Sequence, residues 1–385
     1  MPYFDHNATT PLTAVAREAW LRVADERWHN PSSPYRAAAR ARLRLESART
    51  TLAGLLGCAP ERIVFTSGAT EAAHAIFAHL GRTSPPAARV LVNPTEHACV
   101  LASAGAAFPG RIDALPVTAD GVVRPEAVRL PLAADPGVAA VAVMAANNET
   151  GVVQPWTAWA RFAADQRVPL VCDASQWLGK LPAGGLGAVD WVFGTAHKFG
   201  GPKGAGFVKL PAQAEGFCIH PGGTQERGHR AGTEDVAGAS ALVAALVEAE
   251  QRKVFLETER LAWRTAFEQR VLEGVPGTRI VAHRADRLWN TVSLILPHAE
   301  NTRWVAALDK RGFEVSTGSA CASGQNAPSH VIAALGVDAA AARRVVRISA
   351  GWETSAEEWT ALADAILAAA PELAATAPAG VIRPD

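Results

Sequence analysis

Only six of the thirty-seven basic side chains are lysines, and one of them, Lys198, sits in a setting suited to amine chemistry. Its segment, Ala196-His197-Lys198-Phe199-Gly200-Gly201-Pro202-Lys203-Gly204, follows an apolar run and is crowded with small residues. A lysine forms a Schiff base only as the neutral amine, and burial lowers its pKa towards that state. A solvated basic loop is the other reading of the same residues. Two further segments bear on the choice. Ser67-Gly68-Ala69-Thr70 lies between an apolar run and a helical pattern, where glycine lets the backbone approach an anion and free N–H groups meet phosphate. Taken alone it is equally a plain turn with Thr70 as the helix N-cap. Residues 168–172 form an apolar run that delivers Asp173 to its end, with Gln176 three residues on. Ligands gather outside such strand ends in open α/β sheets, so Asp173 either pairs with a cationic ring nitrogen or caps a helix. Together the lysine, the aspartate and the glycine turn supply an imine partner, a pyridinium partner and a phosphate cradle. Pyridoxal phosphate needs that set.

Other residues extend it. His97, in Glu96-His97-Ala98-Cys99, follows the run at residues 90–92 and is either a histidine that stacks on a cofactor ring or one that starts a surface helix. Cys321 lies among small residues in Ser316-Thr317-Gly318-Ser319-Ala320-Cys321-Ala322-Ser323-Gly324, which predicts an exposed, mobile thiol, nucleophilic or incidental. Cys58, Cys99, Cys172 and Cys218 have apolar neighbours and read as structural. Arg347 stands mid-strand among Val345, Val346 and Ile348, and a buried arginine needs an anion, either a structural carboxylate or a substrate's.

The elements that must carry these residues alternate between short apolar runs and helical patterns, the signature of an α/β fold with a mainly parallel sheet. Strands are expected at 62–66, 90–92, 139–144, 168–172, 191–193 and 206–209, with helices at 72–80 and 157–165. A long helical stretch at 237–270 leads to a smaller α+β region, with strands at 291–296 and 345–349 and helices near 302–311 and 357–369. The expected division is a large domain over 13–255 and a small one over 1–12 and 256–385, with a loose tail from 374. Of the 385 residues 49% are hydrophobic and 19% charged, enough for a large core and against general disorder. Equal numbers of acidic and basic side chains remove a global argument for nucleic acid. No apolar run reaches the ~18 residues of a membrane span. The start lacks a signal-peptide pattern, and five cysteines without a CxxC pair suit a reducing, cytoplasmic compartment. No metal-ligand set is read, and neither a Walker A motif nor a GxGxxG after a first strand occurs.

In this order and with these motifs the chain resembles the group I, NifS/IscS-type cysteine desulfurases of the class V aminotransferase family, fold type I pyridoxal-phosphate enzymes. The likeness runs from Phe4-Asp5-His6-Asn7-Ala8-Thr9-Thr10 to about Thr354. It takes in Ser67-Gly68-Ala69-Thr70-Glu71, Asn147-Asn148-Glu149-Thr150-Gly151, Asp173-Ala174-Ser175-Gln176, the Lys198 segment and Arg230-Ala231-Gly232-Thr233-Glu234. Ser319-Ala320-Cys321 followed by Pro328-Ser329-His330-Val331 matches the group I signature. Two positions depart from it: Trp352 stands where family members commonly have Arg, and Asp5-His6-Asn7 where Asp-Asn-Asn is usual.

The resemblance implies a seven-stranded large-domain sheet and a role for each matched residue. Lys198 would hold pyridoxal 5'-phosphate, Asp173 would pair with its ring nitrogen, Gln176 would bond its phenolic oxygen and His97 would stack on the ring. Ala69, Thr70, Thr195 and His197 would hold the phosphate, joined by Thr233 from the other subunit of a homodimer. Asn148 and Arg347 would take the carboxylate of L-cysteine. Cys321 would capture the sulfur as a persulfide and pass it to an acceptor protein, an iron–sulfur scaffold or another thiol carrier. The rival readings are another class V reaction, such as transamination or selenocysteine lysis, and a catalytically idle sulfur-relay partner.

Overall fold

The computed structural model describes residues 1–128, 137–318 and 329–375, without the side chains of 253–256. The chain divides into two compact units.

The larger unit, Thr9–Asn148 and Val152–Phe255, opens with two helices, α1 (Ala14–Glu26) and α2 (Arg36–Leu56). Then come β1 (Ile63–Thr66), α3 (Ala69–Thr83), β2 (Arg89–Val92), α4 (Ala98–Ala107), β3 (Ile112–Ala114) and β4 (Val138–Ala142). The run continues with α5 (Trp156–Gln166), β5 (Leu170–Asp173), β6 (Trp191–Thr195), β7 (Gly206–Lys209) and the start of α6 (Val236–Gly274). These strands form one seven-stranded sheet in the order β1-β7-β6-β5-β4-β2-β3. Strands β2 to β6 pair in parallel, and β5, β6 and β7 are buried throughout, as in a sheet covered on both faces. β7 runs antiparallel to both β6 and β1. The cause is chain length: only residues 196–205 join β6 to β7, and a parallel crossover needs about a dozen residues or more.

Facing pairs in this register, Thr66 with Gly206 and Gly206 with Thr195, put the ends of β1 and β6 in one row at one sheet edge. Behind β1 lies a buried ion pair. Arg49 on α2 meets Glu226 in two parallel bonds of 2.7 and 2.8 Å and also donates to the Ile63 carbonyl, while Glu226 accepts from the Phe65 amide. Both side chains are at most 3% exposed. Removing one partner leaves a buried charge uncompensated, so Arg49→Met is expected to lower stability by about 3–5 kcal/mol. Urea unfolding of both proteins measures this, and a loss below ~1 kcal/mol would contradict it.

The smaller unit gathers Met1–Ala8, Glu149–Gly151 and the chain from Leu256. It contains β8 (Arg279–Ile280), β9 (Thr291–Ile295), α7 (Asn301–Asp309), α8 (His330–Ala334), α9 (Ala339–Ala342), β10 (Val345–Ser349) and α10 (Ala356–Ala375). Its antiparallel sheet runs β10-β9-β8. Phe4 and Phe267 pack on Trp359 at ring separations of 5.1 and 4.8 Å, and Trp304, Leu294 and Ile348 complete the core. The chain start is stitched in by Asn7, which donates to the Thr291 hydroxyl at 2.9 Å and accepts from Asn290 at 3.2 Å. Glu149–Gly151 joins this unit because the Ser293 hydroxyl donates to the Glu149 carbonyl and the Leu288 amide to that of Gly151. Trp352 packs on the Trp289 ring at 4.2 Å, and its carbonyl accepts from Arg260 at 2.6 Å. His6 packs on Gly351 so closely that a Cβ there would meet its ring at 2.3 Å. No described helix is long and apolar enough to cross a membrane.

Candidate active site

The carboxyl edge of the large sheet collects most of the residues named above. The N-cap of α3 is Gly68, which has no side chain to cap the helix, while the Glu71 carboxylate in the first turn accepts from the Ser67 amide just before it; Thr70 is the second helical residue. The N-cap reading of Thr70 therefore falls, and the start of α3 remains available to an anion. Gly206 explains why the turn sits so close: a Cβ there would lie 2.6 Å from the Gly68 Cα. Thr195 borders the same turn, its hydroxyl 3.6 Å from the position of a Gly68 Cβ.

His97 is the N-cap of α4, and its Nδ1 accepts from the Cys99 amide at 3.2 Å and lies 3.0 Å from the Cys99 sulfur. Accepting at Nδ1 leaves Nε2 to carry the ring proton. α3 and α4 pack against each other, with Thr70 close enough to act on the Cys99 thiol. Burial, with Asp173 and Glu96 adding to it, pushes the Cys99 thiol up to about 12. Burial pushes the Cys172 thiol well above its ordinary range and raises that of Cys58. All three stay protonated at neutral pH and are poor nucleophiles.

Asp173, 7% exposed at the end of β5, accepts from the Ser175 amide at 2.8 Å. Glu96, which sequence reasoning passed over, is 1% exposed, and burial followed by the Asp173 charge raises its carboxyl well above the ordinary range. Its position directly before His97 was the only hint. Gln176 is buried and accepts from Lys180 at 3.0 Å.

Lys198 closes a short 3₁₀ turn, Ala196–Lys198, after β6. Residues 9–13 strap this turn. The Thr10 amide and hydroxyl donate to the carbonyls of His197 and Lys198, the Thr13 amide donates to that of Gly200, and His197 Nδ1 lies 3.2 Å from the Thr9 hydroxyl. Burial is the main cause that lowers His197 to about 4; the charges of Lys198, Lys203 and Lys180 push the same way. No carboxylate figures among these influences.

That chemistry tests the fit of pyridoxal phosphate directly. A dianionic phosphate suits the amides at the start of α3, threonine hydroxyls and the neighbouring Lys203 and Lys180 ammonium groups, and a cationic ring nitrogen suits Asp173. The residues fit the group.

The His197 shift carries a stability consequence for the cofactor-free protein. With the folded value depressed to about 4 from an ordinary 6.5, the contribution is fully present above pH 6.5. It falls away as the pH drops from there to about 4, because only the unfolded chain takes up the proton. His197→Asn is expected to flatten this part of the curve. Urea midpoints of the cofactor-free proteins at pH 7 and pH 5 test it, and an equal acid loss in the variant would contradict it.

Thr233 is exposed and lines a cleft of about 230 Å³ with Thr66, Ser67, Gly206 and Arg230. Asn148 is half-buried in the larger unit. In the smaller unit Arg347 is 1% exposed and meets Asp5 at 2.6 Å while donating to the Gly318 carbonyl at 2.8 Å. Its anion is thus a structural aspartate, whatever else it binds. Glu149 accepts from Ser329 at 2.6 Å. Cys321 lies outside the described residues.

The family model for aminotransferase class-V matches residues 2–362. A cysteine desulfurase of Cereibacter sphaeroides is 37% identical over 389 aligned residues, covering 98% of each chain. A solved structure called a NifS-like protein has a TM-score of 0.87 and 29% identity, over 96% of this chain and 99% of its own. A structure of SspA in complex with cysteine has a TM-score of 0.77 and 27% identity, over 91% of this chain and 99% of its own. With the family pattern running almost end to end, and the Ser67–Thr70, Asp173 and Lys198 motifs sharing one sheet edge, the chain belongs to the aminotransferase class-V family, among its NifS/IscS-type cysteine desulfurases.

Proposed function

We propose that this enzyme converts L-cysteine to L-alanine, captures the sulfur as a persulfide on Cys321 and hands it to an acceptor thiol. The observation that carries the reading is the Lys198 turn directly after β6, which shares a sheet edge with the start of α3 and with Asp173. Pyridoxal phosphate, when bound, supplies the electron sink that makes the substrate Cα–H acidic. The chain supplies the rest. The start of α3, Thr195 and His197 bind the phosphate, Asp173 holds a proton on the ring nitrogen, and Gln176 faces the phenolic oxygen. Lys198 Nζ takes the Cα proton, and Asn148 and Arg347 orient the substrate carboxylate. The Cys321 thiol attacks the substrate sulfur: one C–S bond breaks, one S–S bond forms, and alanine takes up the proton the thiol gives up. Similarity to a relative named cysteine desulfurase and to SspA solved with cysteine supports this choice of substrate.

The test is incubation with L-cysteine and a thiol reductant, without any keto acid. Alanine and sulfide are expected in equal amounts. Turnover that requires a keto acid would point to an aminotransferase, and activity confined to selenocysteine to a lyase.

Thr233, exposed on its cleft, is proposed to complete the phosphate site of a second copy of the chain. Sedimentation of the holoenzyme is expected to show a dimer; a fully active, cofactor-saturated monomer would exclude this arrangement.

A further inference from the structure

Lys180 is one of the few lysines of the chain and is 4% exposed. Its ammonium donates to the side-chain oxygen of Gln176 at 3.0 Å and to the backbone carbonyl of Lys198 at 3.4 Å. It therefore links the residue facing the phenolic oxygen to the residue proposed to hold the cofactor. The segment carrying Lys180 is itself pressed onto the Lys198 turn. Gly179 has φ +76°, and a Cβ there would lie 2.3 Å from the Cβ of Phe199, the residue after Lys198. A side chain at 179 would push the two turns apart.

We propose that Lys180 is a positioning residue that fixes the rotation of the Gln176 amide. An ammonium only donates, so it selects the amide oxygen and turns the NH₂ group, which also only donates, the other way. On the reading that Gln176 faces the cofactor's phenolic oxygen, on which this inference rests, that rotation presents a donor to an anionic oxygen. The opposite rotation would present a repelling carbonyl. A fixed donor stabilises the anionic oxygen and so opposes proton uptake by the bound chromophore.

The experiment is a pH titration of the visible absorbance of holoenzymes, with cofactor content measured for each. Lys180→Met and Gln176→Leu are each expected to raise the midpoint by about one pH unit. The double variant is expected to move no further than Gln176→Leu alone, because the lysine acts through the amide. Lys180→Arg, which keeps a donor-only end, is expected to stay near the parent. Lys180→Ala is read in the same way as Lys180→Met if the latter fails to fold. A shift in Gln176→Leu with none in Lys180→Met would overturn the inference and leave the Gln176 reading standing. An additive double variant, or Lys180→Arg moving as far as Lys180→Met, would also overturn it. No shift in Gln176→Leu would overturn both.

Discussion

Lys198→Ala should abolish covalent attachment of the cofactor and lower alanine formation by at least about 10³-fold, the scale of losing an anchoring amine and a general base together. Borohydride reduction of the parent followed by peptide mass spectrometry should place the pyridoxyl adduct on Lys198. The competing amines can be separated on physical grounds. Lys203 is exposed, and Lys180 is engaged by Gln176. Lys209 has the feature most often sought in an amine nucleophile, a pKa lowered to about 8, chiefly by burial. Its position argues against it. It is fully buried at the far end of β7, facing Ile63 and Val192, and it donates to the carbonyls of Val189 and Asp190. Lys198 instead follows the β6 end that pairs with Gly206, beside the start of α3. An adduct on Lys209, Lys203 or Lys180 would refute the assignment.

Cys321→Ser should separate cofactor chemistry from sulfur chemistry. The protein should keep its visible absorbance, since the groups proposed to bind the cofactor lie on other segments. Sulfide and alanine formation should fall by about 10²-fold or more, because a hydroxyl is a poor nucleophile towards sulfur and stores no persulfide. Burial holds the thiols of Cys58, Cys99 and Cys172 protonated, so none of them offers a ready substitute. Cys99→Ser and Cys172→Ser should therefore keep near-parental turnover. Near-parental turnover in Cys321→Ser would move the enzyme to the lyase or aminotransferase reading.

What could be read from the sequence follows from how local each cause is. Strands β5 and β6 are visible in the sequence because a strand covered on both faces is a continuous apolar run, and Asp173 and Lys198 stand at or just beyond the ends of those runs. β3 and β8 are three and two residues long and partly exposed, so they left no such run. The charged partners were invisible for the opposite reason. Arg347 announced its need for an anion, but Asp5 lies 342 residues away, and only the folded chain brings them together. Lys180 and Glu96 resemble surface residues until the sheet buries them. Thr70 has the residue type of an N-cap, yet the helix already begins at Ala69 and Gly68 takes the cap position.

The most direct measurement is a single turnover. The holoenzyme is mixed with one equivalent of L-cysteine without reductant, quenched, and assayed for alanine and for the mass of the peptide carrying Cys321. The account predicts one alanine for each sulfur atom gained by that peptide, and no gain on Cys58, Cys99, Cys172 or Cys218. Alanine formed with no sulfur on Cys321, or sulfur carried by another cysteine, would contradict it.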